Sequence, residues 1–137
     1  MSEQNKTVGR RLFEQVWNKG DLAVLDELYA ADFVSHSAQP GLPPGIEGEK
    51  QFVRMYLGAF PDTHMVIEDQ VAEGDKVVTR WTATGTHKGE LMGIPPTGKQ
   101  VKVSGITIDR LRGGKIVEEW ASFDQLGMLQ QIGAVPS

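Results

Sequence analysis

Pro61 divides this chain into two hydrophobic rhythms, and a fold has to bury both. Before it, apolar residues recur every three or four positions, as on one face of a helix; after it they alternate, as in strands. Val8, Leu12 and Val16, with Phe13 and Trp17, predict a first helix running to about Asn18 and ended by Gly20. Leu22, Leu25, Leu28 and Tyr29 predict a short second helix with Asp21 as its N-cap. DFVSHS, residues 32 to 37, reads as a short strand, and the proline- and glycine-rich 38 to 48, AQPGLPPGIEG, as a loop that continues neither neighbour. Phe52, Val53, Tyr56, Leu57 and Phe60 predict a third helix from Glu49 to Phe60.

Beyond Pro61, HMVIEDQVAEG, KVVTRWTATGTH, KQVKVSGITIDRLR and KIVEEWASFD are rich in β-branched and aromatic residues, with hairpin turns at Gly74-Asp75 and Gly113-Gly114. A last short helix is expected from Gln125 to Ile132. Helices first and an antiparallel meander after them make an α+β fold, with the helices packed on one face of a curved sheet. The 137 residues are expected to form a single domain, 1–137. The last long strand divides into two mixed sets: Ile116, Glu118, Trp120, Ser122 and Asp124 on one face, Val117, Glu119, Ala121 and Phe123 on the other. Neither set is a plain solvent face, so a second subunit is expected over one of them, making a homodimer.

Fourteen Lys and Arg stand against 18 Asp and Glu, a net charge of -4, and the basic residues are scattered. That pattern argues against nucleic acid or a membrane surface as partner, since both need a positive footprint. No apolar run reaches bilayer length and the first residues, MSEQNKTVGRR, lack the apolar centre of a signal peptide, so a cytoplasmic location is expected. The absence of cysteine removes thiolate nucleophiles and disulfides. GIPPTGKQ carries the G-x-x-x-x-G-K core of a phosphate loop, but Gln100 replaces the magnesium-holding Ser or Thr and a strand follows where a helix is needed. It is expected to border the mouth of a pocket. His36, His64 and His87 fall on separate elements without metal-ligand spacing, so neither metal nor cofactor is expected.

His64 reads as a surface residue, whereas His36 alternates with Val34 and Ala38 and is the candidate to face inward. Arg80 reads as a strand-edge ion pair; Arg110 is the candidate to fix a carboxylate or a substrate carbonyl. Asp124 stands between strand and helix. An N-cap carboxylate accepts from helix amides and is held charged, while proton abstraction at neutral pH wants a carboxylate raised by burial. The residues alone leave both roles open, with Trp120 on the same face as a possible aromatic wall.

FVSHS, AFPD at 59 to 62, EGDKVVTRWTATGTHKGELMGIPPTGKQV and GITIDRLRGGKIVEEWASFDQLGMLQQIG together resemble the SnoaL-like polyketide cyclase family of the nuclear-transport-factor-2-like superfamily. The resemblance covers nearly the whole chain. It implies a cone-shaped α+β barrel, a curved and mostly antiparallel sheet wrapped around N-terminal helices with a concave apolar pocket. It also implies ring closure by intramolecular aldol condensation of a small hydrophobic carbonyl compound, a polyketide ester, without cofactor. Asp124 matches the family's acid/base position at the end of W-x-x-x-D, with His36 as the candidate to polarise the carbonyl. Trp120, Arg110, His87, Trp17, Phe52 and Tyr56 complete the expected substrate-binding set. A non-catalytic binding protein, or an isomerase or dehydratase, would suit the same scaffold.

Overall fold

The computed structural model describes residues 2–37 and 41–136. Helix α1 (Ser2–Arg11) runs directly into a π-helical stretch, Leu12–Trp17, in which the Asn18 amide donates to the Phe13 carbonyl at 3.0 Å. The wider turn leaves Leu12, Phe13, Val16 and Trp17 all buried. Asn18 then docks this segment on the sheet, its side-chain amide donating to the Met65 carbonyl at 3.0 Å and accepting from the Met65 amide at 2.7 Å.

Gly20, at φ +71°, ends the helix as its sequence predicts. Asp21 does not cap with its side chain. Its backbone carbonyl accepts from the Val24 amide at 3.3 Å, so a turn precedes α2 (Val24–Leu28). Tyr29 leaves α2 and opens β1 (Tyr29–Ser35), which therefore begins and ends earlier than DFVSHS suggests. Helix α3 (Gly45–Ala59) starts four residues before the predicted Glu49. Gly45 enters the helix at φ +73°, a left-handed conformation that glycine adopts without strain. A Cβ on Gly48 would collide with the Pro43 carbonyl, so that glycine lets the preceding loop cross the helix start. Residues 38 to 40 of the expected loop, including the Ala38 of the alternation with His36, lie outside the described residues.

Strands β2 (His64–Glu73), β3 (Lys76–Thr86), β4 (Gln100–Arg112) and β5 (Lys115–Phe123) form the predicted antiparallel meander, with Gly74-Asp75 and Gly113-Gly114 as its tight turns. Both glycines of the second turn have positive φ, +60° and +79°. β1 adds itself parallel to β5, giving the order β1-β5-β4-β3-β2 in a curved sheet. Helix α4 (Gln125–Gln131) follows at the far end. Among the described residues no helix is long and apolar enough to cross a membrane.

β4 alternates cleanly between buried and exposed positions, and its buried set faces the helices. Trp81 of β3 lies flat over Gly105, its partner on β4, and donates from its indole N–H to Thr107 Oγ1 at 3.0 Å. A side chain on Gly105 would occupy the space of the Trp81 ring. Gly105→Ala is therefore expected to cost about 1–3 kcal/mol by overpacking and to shift Trp81 fluorescence, both read in one urea titration.

Candidate functional site

Between the inner face of the sheet and the helices the fold leaves a cavity of about 390 Å³. Aromatic rings form much of its wall. Trp17 meets Phe52 edge-on at 6.0 Å between centroids, Phe52 meets Tyr56 at 4.9 Å, and Tyr56 meets Phe123 edge-on at 6.1 Å. The helical spacing of Trp17, Phe52 and Tyr56 thus brings all three to the cavity, facing Trp81 and Phe123 from the sheet.

Two acidic side chains, Glu49 from α3 and Glu119 from β5, open on this otherwise mainly apolar space. Glu119 is 6% exposed, and its Oε2 accepts from the Tyr29 hydroxyl at 3.0 Å. Directly across the β4–β5 ladder stands Asp109, 1% exposed and behind the cavity wall. Burial, and then the Asp109 charge, holds the Glu119 carboxyl well above the usual carboxylate range. Burial likewise raises Asp109 to about 6, and burial followed by the Glu119 charge raises Glu49. Tyr29 is raised by burial and then by Glu119. The site is a group of acids at and behind the wall of an aromatic cavity.

The polar residues singled out from the sequence lie elsewhere. Asp124 is exposed, does not line the cavity, and caps α4, its Oδ1 accepting from the Gly127 amide at 2.8 Å. Gly127 has to be glycine for this approach, because a Cβ would strike the Asp124 carboxylate. Of the two roles left open for Asp124, capping is the one its geometry supplies. His36 stacks on Trp120 at 4.7 Å and 11°, and its Nε2 lies 2.7 Å from Glu118 Oε2. Arg110 donates to Glu118 from the other side and lies 3.9 Å from Asp75. His36, Trp120 and Arg110 therefore gather on the outer face of the sheet, where the hydrogen bond from His36 and then that from Arg110 lower the Glu118 carboxyl. The inward set of β5 is Glu119, Ala121 and Phe123, not the set that contains Trp120 and Asp124.

His87 is fully buried but also misses the cavity. Its Nδ1 accepts from the Thr97 amide at 3.3 Å, and its backbone bonds Lys99 and Gly98 at 2.9 and 2.8 Å, so it pins the GIPPTGK loop. That loop contributes nothing to the cavity lining, against the expectation that it would border the mouth. Arg80 makes the expected ion pair with Asp69, at 2.7 Å from Nε, and His64 is exposed.

Residues 7–132 match the family model described as SnoaL-like polyketide cyclase. No curated protein matches the chain by sequence. Among solved structures, wild-type IdmH of Streptomyces antibioticus, a candidate polyketide cyclase, is 38% identical with a TM-score of 0.81, over 95% of this chain and 99% of that one. A candidate SnoaL-like polyketide cyclase of Jannaschia sp. CCS1 is 31% identical with a TM-score of 0.88, over 98% and 95%. AclR of Streptomyces galilaeus, a candidate hydroxylase, is 28% identical with a TM-score of 0.88, over 100% and 85%.

The raised acids set the sign of the stability profile. A carboxyl raised by folding binds more protons folded than unfolded, so stability falls as pH rises from the unfolded value to the folded one. For Asp109 that window runs from 3.8 to about 6, and the loss is up to about 3 kcal/mol. Glu118, Asp32 and Asp62, all lowered, act oppositely, and their contribution disappears as pH falls through their folded values. Urea midpoints are expected to be highest near pH 4 and lower at pH 7. Separately, Asp124→Ala should cost about 1 kcal/mol and Asp124→Asn almost nothing, measured by thermal unfolding.

Proposed function

The chain belongs to the SnoaL-like polyketide cyclase family, and on that premise we propose that it is a cofactor-independent acid/base enzyme closing rings in a neutral hydrophobic carbonyl compound by intramolecular aldol condensation. Glu119 is the proton-transferring carboxyl. The observation that carries the reading is its position: a buried acid on a rigid strand, fixed by Tyr29, opening on an apolar, aromatic cavity.

The chemistry suits so few polar groups. A carbon between two carbonyls is already acidic, and a desolvated carboxylate is a stronger base than a hydrated one. Glu119 takes the proton, the electron pair delocalises into an enolate, and the enolate carbon attacks a second carbonyl of the same molecule. The new alkoxide then recovers the proton from Glu119. Among the described lining residues there is no Lys, Arg or His, while Glu49 and Glu119 both face inward. An anionic substrate finds no counter-charge here, so a neutral ester or ketone fits better than a free acid.

Glu119→Gln preserves the shape but cannot hold and release the proton. It is expected to lower kcat for cyclisation of neutral β-keto esters by about 10²–10⁴ while changing ligand affinity only a few-fold; Asp124→Asn is expected to cyclise at the wild-type rate. Cyclisation by Glu119→Gln at the wild-type rate would overturn the assignment. Tight binding without turnover by the wild-type protein would instead make the cavity a carrier site, a reading favoured by its mainly apolar wall.

The outer face supports a homodimer. Val71, Val78, Ile108 and Trp120 pair in register as one apolar row across four strands. On one side runs Asp69, Arg80, Ile106 and Ser122; on the other run Glu73, Lys76, Arg110 and Glu118. A second copy turned by a two-fold axis would lay apolar row on apolar row and cover both. Val71 is 62% exposed, so Val71→Asp leaves the fold intact. Sedimentation is expected to give a dimer for wild type and a dissociation constant raised at least about tenfold by the variant; a wild-type monomer would contradict the reading.

A further inference from the structure

Asp109 takes no part in lining the cavity, yet it is among the most deeply buried residues of the chain. It stands opposite Glu119 in the β4–β5 ladder, and both side chains point to the inner layer. Among the described residues neither oxygen of Asp109 has a hydrogen-bond partner. Across the ladder it faces Glu119. Two carboxylates repel, and they bond only when a proton lies between them.

Among the described residues, the charges around the pair supply no other compensation. Tyr29 faces it from β1 and Glu49 from α3, while β3 contributes Val77, the partner of Asp109, and the buried Thr79. None of these is a cation. Among the described residues no three His, Cys, Asp or Glu side chains are arranged to hold a metal ion. Taking two unpaired carboxylates into such a place costs more than keeping one proton there.

We propose that Asp109 is a positioning residue that shares a single proton with Glu119, so that the two carboxyls work as one proton-transfer unit whose cavity end alone meets the substrate. The inference rests on the reading of Glu119 as the proton-transferring group. In the reactive arrangement the shared proton sits on Asp109 and is donated as a hydrogen bond to the Glu119 carboxylate. Glu119 takes the proton from the substrate carbon, and the C–H electron pair passes to the enolate oxygen. After the carbon–carbon bond has formed, Glu119 returns that proton to the alkoxide. Asp109 keeps its own proton throughout, and the unit ends with the single proton it began with.

Burial holds both groups above their ordinary range, Asp109 at about 6, so the pair keeps a proton to higher pH than exposed carboxylates do. Those values belong to the pair jointly, because the proton moves between its members.

The test follows the Glu119 side-chain carboxyl by carbon-13 NMR in wild type and in Asp109→Asn, with Glu119→Gln to assign the signal. In wild type the signal is expected to move in two steps, one near pH 6 and one well above. Asn is a permanently neutral donor without a charge of its own, so in Asp109→Asn a single step is expected, at least about one pH unit below the upper wild-type step. An unchanged Glu119 titration in Asp109→Asn would overturn the proposal. Infrared spectra of the wild-type protein alone guard against a variant that fails to fold. At pH 7.5 a protonated-carboxyl C=O band is expected to shift when either aspartate or glutamate is carbon-13 labelled; a band blind to aspartate labelling would overturn the sharing. These readouts need no turnover, whereas the Glu119→Gln kinetics need no titration, so failure of the shared proton and failure of the catalytic reading are seen separately.

Discussion

Two acids facing each other across neighbouring strands, with no cation among the described residues of the core to match them, are the constraint around which this molecule is organised. An arrangement so unfavourable for stability persists only where the surroundings determine it fully. The β4–β5 ladder fixes the two backbones, Tyr29 reaches from β1 to hold one Glu119 oxygen, and the parallel pairing of β1 with β5 is what brings Tyr29 there. Trp81 and Phe123 close the layer beside them, with the missing side chain of Gly105 making room for the indole. The π-helical stretch then turns Phe13 and Trp17 toward the same space. Each device is local, and together they leave a cavity whose acidic group is buried and oriented.

Much of this architecture is legible in the chain itself. The change of rhythm at Pro61, the two glycine-bearing hairpins and the capping Asp124 each rest on short-range physics that tertiary contacts reinforce. What escapes a sequence reading is long-range: the parallel docking of β1, and the choice of which strand face turns inward. On β5 the usual signal is reversed, since Trp120 looks outward and Glu119 inward. β4 blurs it too, because Ile106 is exposed while Asp109 is buried.

The pairing of Asp109 with Glu119 was hidden by one residue. Counting back from the Gly113-Gly114 turn places Arg112 against Lys115 and Leu111 against Ile116, and a regular ladder would continue with Arg110 against Val117 and Asp109 against Glu118. An irregularity between Arg110 and Leu111 shifts the register, so that Arg110 meets Glu118 on the outer face and Asp109 meets Glu119 inside. A single inserted residue thus separates an ordinary ion pair from a buried acid pair. The family resemblance pointed to the correct fold, but the carboxylate that opens on the cavity stands five positions earlier than Asp124.

The central claim is that a carboxyl in this cavity moves a proton to and from carbon, and it is tested most directly by deuterium exchange. A neutral β-keto ester that lacks a second carbonyl to attack, incubated with the wild-type protein in D₂O, is followed by proton NMR at its acidic carbon. The account predicts exchange well above the buffer rate, suppressed by an inert hydrophobic ketone that competes for the cavity. Saturable binding of the ester with exchange no faster than buffer would contradict it.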